Sequence, residues 1–581
     1  MTDSRNQRLR RAAPVLALAS VAFLTGAIVG AHRGSAPAAA LAEGYVRDWS
    51  HGEYAKMYAD IAPASQRTIS AGDFAAAHRD AMRTATGTAI VPAGRARSRG
   101  EGRVEVPMRV RTRLWGTLSL PLVLQTVSTE GSPRVEWSRS AAFPGVPDGA
   151  SLTRRMTLPR RATLLARDGK VLAQSPPGGG PREDPLGEAA SAVVGDVGAI
   201  PASSRGELEA EGVPGEAEVG TSGLELALDK ELRGRAGGEL LAGEKVLAST
   251  APRPAPALRT TVSPSVQQAA VAALGSQLGG VVAMQPASGQ ILAVAGIGLD
   301  GLQPPGSTFK IITVSGVLAA HVATPHTTFP YATHATLDGV TLNNANGEEC
   351  GGSLELAFAV SCNSVFTPLG VKLGAQRLVA TAESFGFNHD PGVPGAARST
   401  LPAASAIQGE LDVGSTAIGQ GEVLATPLQM LTVAAAIADG GHRPAPSFVM
   451  DAPRGGAQAV SPSVARTVRH LMTEVVREGT GTSAAIPGVV VAGKTGTAEL
   501  KSSCTPSVAE HEASETSSGE SKASCAGGES NPENTDAWFT AFAPATQPKV
   551  AVCVMLVKDG AGGDTAAPVA RQVLEAGLHG V

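Results

Sequence analysis

The stretch GGVVAMQPASGQILAVAG, residues 279–296, sets the fold of the C-terminal half of this sequence. Its two apolar runs, Gly279–Met284 and Gln290–Val294, are separated by Pro286-Ala-Ser-Gly289, whose residue types favour a turn. The pattern therefore predicts a β-hairpin.

Helical periodicity follows this hairpin, and strand patterns return near the end of the chain. The predicted helices are Ser307–Ala320, Ser353–Leu369, Ala375–Phe385, Pro427–Ala438, Pro462–Val476 and Ala566–Ala576, and the predicted strands are Val489–Gly493, Asp536–Ala543 and Lys549–Val557. Strands at both ends of a region, with helices between them, predict one sheet built from the two ends in a mixed α/β architecture.

The sequence upstream of residue 259 is typical of two smaller units, residues 38–147 and residues 148–258. The first combines helical periodicity with strand-like runs, which indicates an α+β fold with a core that includes Trp49, Tyr54, Tyr58 and Phe74. The second contains a hairpin around Arg167-Asp168-Gly169 and a segment rich in Pro, Gly, Ala and Glu.

A period-two pattern in residues 102–115 alternates apolar residues with Arg109, Arg111 and Arg113. Alternation of this kind is what a half-buried strand requires, so we interpret the arginines as a solvated sheet face. Contact with an acidic polymer or a partner is the other interpretation.

Composition limits the classes of protein that need to be considered. The chain has 581 residues, a net charge of −4 and 43% apolar residues, which supports several packed domains and excludes a disordered chain or a general nucleic-acid binder.

The one long apolar run, Ala12–Ala31, has about 20 residues, the length of a transmembrane helix. Arginines precede it, which predicts residues 1–11 in the cytoplasm and the later residues outside. A cleaved signal peptide ending near Ala36-Pro37-Ala38 is the alternative.

The cysteines and the acidic residues show no metal motif. The sequence lacks C-x-x-C and H-E-x-x-H, so we expect neither a metal nor a cofactor. Cys504 and Cys525 lie in one polar segment and form the favoured disulfide pair, whereas Cys553 lies in an apolar strand pattern and is predicted to be buried. That segment, residues 499–536, is acidic and is predicted to be a disordered loop.

The motif Pro305-Gly306-Ser307-Thr308-Phe309-Lys310 opens an apolar helix. Ser307 is predicted at the helix N-terminus, where free N–H groups favour a developing anion. Lys310 follows by three positions and therefore lies on the same face. A neutral lysine can take the proton of a serine nucleophile if burial and a second cation lower its pKa. By itself, the motif is also compatible with an ordinary capped helix.

Two further motifs supply groups for the same chemistry. Ser361-Cys362-Asn363 offers a hydroxyl that can relay a proton and an amide that can orient a substrate and Lys310. Lys494-Thr495-Gly496-Thr497 follows a predicted strand and offers the second cation together with two hydroxyls for a carboxylate. The glycine allows a substrate backbone to lie along the strand edge, and the Thr497 N–H can pair with that of Ser307 in an oxyanion hole.

Taken together, the Ser-x-x-Lys, Ser-x-Asn and Lys-Thr-Gly motifs occur in the order known for penicillin-binding proteins and some β-lactamases. The sequence resembles a class B penicillin-binding protein, a peptidoglycan D,D-transpeptidase. On this resemblance the catalytic residues are Ser307, Lys310, Ser361 and Asn363, and the substrate-binding residues are Lys494, Thr495, Gly496 and Thr497.

The resemblance implies a multi-domain α+β architecture. Its predicted parts are a cytoplasmic tail (1–11), a single transmembrane helix (12–31), a small cone-like α+β domain of the MecA N-terminal type (38–147), a pedestal or dimerisation domain (148–258), and a transpeptidase domain (259–581) with an antiparallel sheet flanked by helices. The catalytic domain is then extracytoplasmic on a single-pass membrane protein.

The resemblance also implies a reaction and its partners. Ser307 forms an acyl-enzyme with a stem peptide ending in D-Ala-D-Ala, and β-lactams acylate the same serine. A membrane glycosyltransferase is the expected protein partner. A serine β-lactamase, a β-lactam-binding sensor that uses the same acylation site and a D,D-carboxypeptidase, in which water accepts the acyl group, are the alternatives.

Overall fold

The computed structural model describes residues 36–176, 181–499 and 534–580. They belong to two compact units, which interleave along the sequence. Among the described residues, one unit contains 36–161, 199–218 and 233–255; the other contains 162–176, 181–198, 219–232, 256–499 and 534–580. The segment 148–258 therefore contributes to both units.

The N-terminal unit is built from helices and two antiparallel sheets. Its helices are residues 36–50, Tyr54–Asp60, Pro63–Thr68, Ala71–Thr84 and Arg205–Ala210. Its larger sheet contains Gly87–Pro92, Arg97–Gly100, Arg103–Thr112, Thr117–Thr129 and Ser132–Val135, and its smaller sheet contains Leu152–Thr157, Gly237–Ala242 and Lys245–Thr250.

The predicted alternation in this unit is confirmed. In the strand Arg103–Thr112 the apolar residues are buried, whereas Arg109 and Arg111 are exposed. Trp49 and Phe74 are buried in the core, and Tyr54 and Tyr58 pack partly buried against it.

Several sequence-based predictions concern residues outside the described ranges. The predicted anchor at 12–31, the predicted pair of Cys504 and Cys525, and nearly all of the acidic segment 499–536 belong to this group. Among the residues that the structure does describe, none of the helices is both long enough and apolar enough to cross a membrane.

The second unit is organised around a five-stranded antiparallel sheet. Its strands in chain order are β1 (Gly279–Gln285), β2 (Gln290–Gly296), β3 (Ala492–Glu499), β4 (Thr535–Ala543) and β5 (Val550–Leu556). Their spatial order is β2-β1-β5-β4-β3, and every neighbouring pair is antiparallel. The predicted hairpin and the sheet assembled from both ends of the region are confirmed, and β3 lies at a sheet edge.

Helices cover this sheet. The principal ones are α1 (Pro264–Leu274), α2 (Lys310–Ala319), α3 (Leu354–Ala359), α4 (Asn363–Leu373), α5 (Ala375–Ser384), α6 (Gly409–Ala417), α7 (Pro427–Ala438), α8 (Pro462–Arg477) and α9 (Ala566–Gly580). Helices α1 and α9 share one apolar core with the sheet. Helix α7 is buried along its whole length, which explains its almost continuous apolar sequence.

Shorter elements complete the second unit. They are the strands Leu164–Leu165, Val171–Ala173 and Leu258–Arg259, the helices Glu188–Val194, Gly223–Ala227 and Asp229–Leu232, and three small sheets, Thr328–Ala332 with Cys350–Ser353, His334–Leu337 with Val340–Asn343, and His442–Pro444 with Gly456–Gln458. The predicted hairpin around Arg167-Asp168-Gly169 is confirmed by the antiparallel pairing of the first two strands.

Several predicted elements have different bounds in the structure, and two of them bear on the site. The single helix predicted at Ser353–Leu369 is broken into α3 and α4, because Ser361 has a φ of +62°, which is incompatible with a right-handed helix. The strand predicted at Val489–Gly493 instead begins at Ala492 and runs to Glu499, so that the Lys-Thr-Gly motif lies within the strand rather than after it.

One disulfide was not predicted. Cys350 and Cys362 are bonded, with Cα atoms 5.9 Å apart, which links the strand Cys350–Ser353 to the residue before α4. Cys553 is buried as predicted, and its burial in β5 raises the pKa of its thiol well above the ordinary value.

Candidate active site

Ser307 lies in a tight turn that precedes α2. Residues Gly306–Phe309 form a 3₁₀ turn, and the α-helix begins at Lys310. Because this turn has about three residues per turn, positions three apart align, so Ser307 and Lys310 are on the same side. Ser307 is half-buried and Lys310 is fully buried.

Glycines hold this turn against the edge strand β3. Gly306 has a φ of +50°, and a Cβ atom there would lie 2.7 Å from the Thr497 carbonyl oxygen. A Cβ at Gly496 would lie 2.8 Å from the Pro305 carbonyl oxygen. Gly496, which the sequence suggested was needed for substrate approach, is therefore also required for packing against the serine-bearing turn.

The buried side-chain nitrogen of Lys310 is held by the Ser-x-Asn motif. Its Nζ donates to the carbonyl oxygen of Ser361 at 2.7 Å and to Asn363 Oδ1 at 2.6 Å, and lies 3.3 Å from Ser361 Oγ. The Asn363 amide is fixed at its other end, because Nδ2 donates to the carbonyl oxygen of Asn343 at 2.9 Å. The predicted contact between Lys310 and Asn363 is present, and both ends of this amide are engaged within the protein.

Lys494 contacts the same hydroxyl. Its Nζ donates to Ser361 Oγ at 2.9 Å and to the carbonyl oxygen of Thr495 at 3.2 Å. Ser361 therefore contacts two lysines, at positions 310 and 494, that are 184 residues apart in the chain. Because the backbone of Ser361 is left-handed, its carbonyl oxygen and its hydroxyl both lie in the same site.

Burial and mutual repulsion control the charge of this pair. Burial, and secondarily the positive charge of Lys310, hold the pKa of Lys494 well below its usual range. Two protonated lysines that share one hydroxyl repel each other, so the second proton binds less readily than the first. The site can therefore keep one lysine neutral, which is the condition for a lysine to act as a base.

Two aromatic rings beside the lysines were not identified from the sequence. The Nζ of Lys310 lies 5.5 Å from the ring centre of Phe366, and that of Lys494 lies 5.5 Å from the ring centre of Phe358. The faces of aromatic rings attract cations in places where water is excluded. Phe358 and Phe366 lie three residues before Ser361 and three after Asn363, a symmetric spacing that is visible in the sequence but not specific enough to identify them.

The threonines of the Lys-Thr-Gly motif extend the site along β3. Thr495 is buried and its Oγ1 lies 2.6 Å from Oγ1 of Thr480. Thr497 and Thr495 are two positions apart in the strand, so their side chains share one face. Thr480 is a contact that the sequence analysis missed.

Three acid–base side chains elsewhere in this unit come close enough to bind a metal in principle. Ligand atoms of Glu355, His470 and Glu474 all lie within 4.8 Å of one another. These side chains already have partners within the protein, since His470 Nε2 lies 2.9 Å from a Glu355 carboxylate oxygen and Arg477 pairs with Glu474 at 2.5 Å. We assign no metal to this cluster.

Comparison with known proteins identifies the family. The penicillin-binding protein transpeptidase domain matches residues 279–575, more than half of the chain, and the penicillin-binding protein dimerisation domain matches residues 180–245. The chain belongs to the class B penicillin-binding proteins.

Individual relatives support this assignment. The peptidoglycan D,D-transpeptidase PbpA of Mycolicibacterium smegmatis is 34% identical over 388 residues, which cover 55% of this chain and 72% of the relative. The penicillin G acyl-enzyme structure of penicillin-binding protein A from M. tuberculosis matches with a TM-score of 0.55 and 28% identity, over 72% of this chain and 99% of that one. Pseudomonas aeruginosa PBP2 matches with a TM-score of 0.60 and 26% identity, over 74% and 98% of the two chains.

Proposed function

We infer that this protein is a serine D,D-transpeptidase that cross-links peptidoglycan stem peptides and binds penicillin and other β-lactams. The observation that carries the inference is the Ser361 hydroxyl, which lies 3.3 Å from the Nζ of Lys310 and 2.9 Å from that of Lys494. The similarity to the M. tuberculosis protein, whose structure is a penicillin G acyl-enzyme complex, supports the same conclusion.

In the acylation step, Ser307 is the nucleophile and neutral Lys310 is the base. Lys310 accepts the hydroxyl proton while the Ser307 oxygen attacks the carbonyl carbon of the penultimate D-Ala. The peptide C–N bond then breaks, and Ser361 passes the proton from Lys310 to the amine of the departing D-Ala. The product is an ester between Ser307 and the shortened stem peptide.

In the second step, an amine of a neighbouring stem peptide attacks this ester. The amine loses a proton to Lys310, and the Ser307 oxygen recovers a proton as the new peptide bond forms. A β-lactam enters the first step in the same way, because opening of its ring also leaves an ester on Ser307.

Substrate binding uses the edge of β3. The terminal carboxylate is bound by the hydroxyls of Thr495 and Thr497 near Lys494, and the stem peptide lies along the edge of β3. The N–H groups of Ser307 and Thr497 form the oxyanion hole. The close packing of Gly306 on the Thr497 carbonyl supports this assignment, because it holds the two backbones together.

We propose the membrane arrangement from the sequence. Residues 12–31 anchor the chain as a single-pass helix, residues 38–147 form a MecA-type domain, residues 148–258 form the pedestal, and residues 259–581 form the extracytoplasmic transpeptidase domain. A membrane glycosyltransferase supplies the glycan strands whose stem peptides are cross-linked.

Intact-mass measurements on the full chain in detergent test this function. Benzylpenicillin is added to the wild type and to Ser307→Ala, and the mass of each is followed over time. We expect a stable adduct on the wild type that lasts for hours, and no adduct on Ser307→Ala. The wild type is then incubated with a D-Ala-D-Ala stem peptide and an amine acceptor, and we expect transfer to the amine.

Other outcomes identify the alternatives. An adduct that clears within seconds indicates a serine β-lactamase. A stable adduct without transfer to the amine indicates a D,D-carboxypeptidase if the terminal D-Ala is released by hydrolysis, and a β-lactam-binding sensor if it is not released. An adduct that persists on Ser307→Ala contradicts the assignment of the nucleophile.

A further inference from the structure

A threonine outside the three motifs contacts the proposed carboxylate-binding residues. Thr480 Oγ1 lies 2.6 Å from Oγ1 of Thr495, although the two residues are separated by fifteen positions in the sequence. Thr495 is only 4% exposed, whereas Thr480 is exposed to solvent. The buried hydroxyl on the strand is therefore connected to a hydroxyl at the surface.

The backbone of Thr480 is held in place by close approaches on both sides. Its N–H donates to the Ala359 carbonyl oxygen at 3.1 Å, which ties it to the end of α3, two residues before Ser361. A Cβ atom on Gly479 would overlap the Ala359 carbonyl, and one on Gly563 would overlap the Thr480 carbonyl. The glycines allow these approaches, so the position of the Thr480 hydroxyl is determined by packed backbone.

The number of protons available determines which way this pair of hydroxyls points. Each hydroxyl has a single proton to donate. If Thr495 donates to Thr480, no proton remains for a carboxylate bound at Thr495. If Thr480 donates to Thr495, the Thr495 proton is free to point toward the carboxylate.

The surroundings of Thr480 favour the second arrangement. A second acceptor near its hydroxyl among the described residues is the Ala359 carbonyl oxygen, at 3.5 Å, which is long for an O–H···O bond, and this oxygen already accepts the Thr480 N–H. Thr495 Oγ1, at 2.6 Å, is the better acceptor. A chain from Thr480 to Thr495 to a carboxylate strengthens each hydrogen bond by polarisation, because every member both donates and accepts.

We propose that Thr480 is a positioning residue that directs the single hydroxyl proton of Thr495 toward the substrate carboxylate and so contributes to the selectivity for a free carboxylate. This inference rests on the proposed function, since it takes Thr495 as a ligand of the carboxylate.

The test compares a carboxylate substrate with its ester. Second-order acylation rate constants are measured on the full chain with benzylpenicillin and with benzylpenicillin methyl ester. For Thr480→Val we expect the rate constant with the free acid to fall about fivefold to tenfold, which corresponds to the free energy of one hydrogen bond. The rate with the ester should stay within about twofold, because an ester is a poorer partner for the Thr495 proton.

Three further variants separate positioning from structure. Thr480→Ser keeps the hydroxyl and should restore most of the preference for the free acid. Thr482→Val changes an exposed threonine two residues further on and should leave both rates unchanged. In a Thr495→Val background, Thr480→Val should have little further effect, because the residue through which it acts is gone.

The outcomes distinguish this inference from the proposed function. If the wild type is not acylated at Ser307, both fail. If the wild type is acylated but Thr480→Val slows the acid and the ester equally, or slows neither, the positioning role is wrong and the proposed function stands. If Thr480→Val does not fold, as shown by a lost thermal transition, Thr480→Ala and the Thr480→Ser comparison carry the same test.

Discussion

The side-chain nitrogen of Lys494 donates a 2.9 Å hydrogen bond to the hydroxyl of Ser361, 133 residues earlier in the chain. This bond connects the edge strand of the sheet to the break between α3 and α4. The same hydroxyl lies 3.3 Å from the Nζ of Lys310, so a single oxygen links the two lysines of the proposed mechanism.

Ser361→Gly separates activity from stability at this junction. We expect the acylation rate with benzylpenicillin to fall about 10²–10⁴-fold, because the shared hydroxyl is removed. The free energy of unfolding should stay within about 1 kcal/mol of the wild type, since glycine tolerates the φ of +62° but adds backbone entropy to the unfolded chain. Mass-detected acylation and thermal unfolding measure the two effects.

His321→Gly is the matched control for Ser361→Gly. His321 also has a left-handed backbone, with a φ of +56°, and its side chain is exposed. We expect a similarly small change in stability and an unchanged acylation rate. A Ser361→Gly protein that is acylated at the wild-type rate would show that the hydroxyl has no part in proton transfer.

Lys494→Met should stabilise the protein at neutral pH while it abolishes acylation. Burial lowers the pKa of Lys494, so the unfolded chain binds the proton more tightly than the folded protein does. This difference in proton affinity destabilises the wild type at pH values below the ordinary lysine pKa. The destabilisation disappears as the pH rises toward that pKa. We expect Lys494→Met to be more stable by about 1 kcal/mol or more at pH 7, with the gap narrowing toward pH 10.

Denaturant unfolding at a series of pH values measures this gap. Lys372→Met, which replaces an exposed lysine of the same unit, should show no comparable gain. A gap for Lys494→Met that is independent of pH would contradict the lowered pKa as its cause.

Gly306→Ala should damage both folding and acylation. An added Cβ would lie 2.7 Å from the Thr497 carbonyl oxygen, and the φ of +50° is itself unfavourable for alanine. We expect a loss of about 1–3 kcal/mol in unfolding free energy and a slower acylation, because the serine-bearing turn is pushed from β3. Thermal unfolding and acylation kinetics provide the measurement.

Gly339→Ala separates backbone strain from the steric clash. Gly339 has a φ of +78°, but a Cβ there would meet no atom within 4 Å. It should cost stability only through strain and leave acylation unchanged. Equal effects of the two substitutions on acylation would show that the contact of Gly306 with β3 is unimportant.

His78 makes the N-terminal unit sensitive to acid. Burial lowers the pKa of this histidine from 6.5 to about 4, against a weaker raising effect of its hydrogen bond to the Phe74 carbonyl. The unfolded chain therefore binds more protons between these two values, so stability falls as the pH decreases from 6.5 toward 4. We expect the wild type to lose about 2 kcal/mol at pH 5 relative to pH 7.5.

Tryptophan fluorescence can follow this transition. The Trp49 ring packs edge-on against the His78 ring, with centres 4.8 Å apart, so the reporter touches the titrating group. His78→Gln should lose most of the pH dependence, whereas His51→Gln, at an exposed histidine of the same unit, should keep it. If His78→Gln loses as much stability at low pH as the wild type does, the acid sensitivity belongs to other groups.

Much of the fold could be predicted from local sequence patterns. The hairpin of β1 and β2 follows from two apolar runs around a turn, and the return of strand patterns near residue 550 predicts that the sheet joins both ends of its region. Period-two burial in Arg103–Thr112 was predicted for the same reason, since the faces of a strand alternate. The break at Ser361 was missed, because helical periodicity continues on either side of it and no glycine or proline marks the left-handed residue.

The sequence by itself determined which chemical groups this protein has and in what order, because a short motif specifies residue types and local spacing. It thereby predicted Ser307, Lys310, Ser361, Asn363 and Lys494 to Thr497 as one site. Only the tertiary structure decided how those groups meet: a single hydroxyl held by two buried lysines, phenylalanine rings beside each lysine, and Thr480 against Thr495. Such contacts depend on the packing of distant segments, and burial rather than residue type lowers the pKa of Lys494.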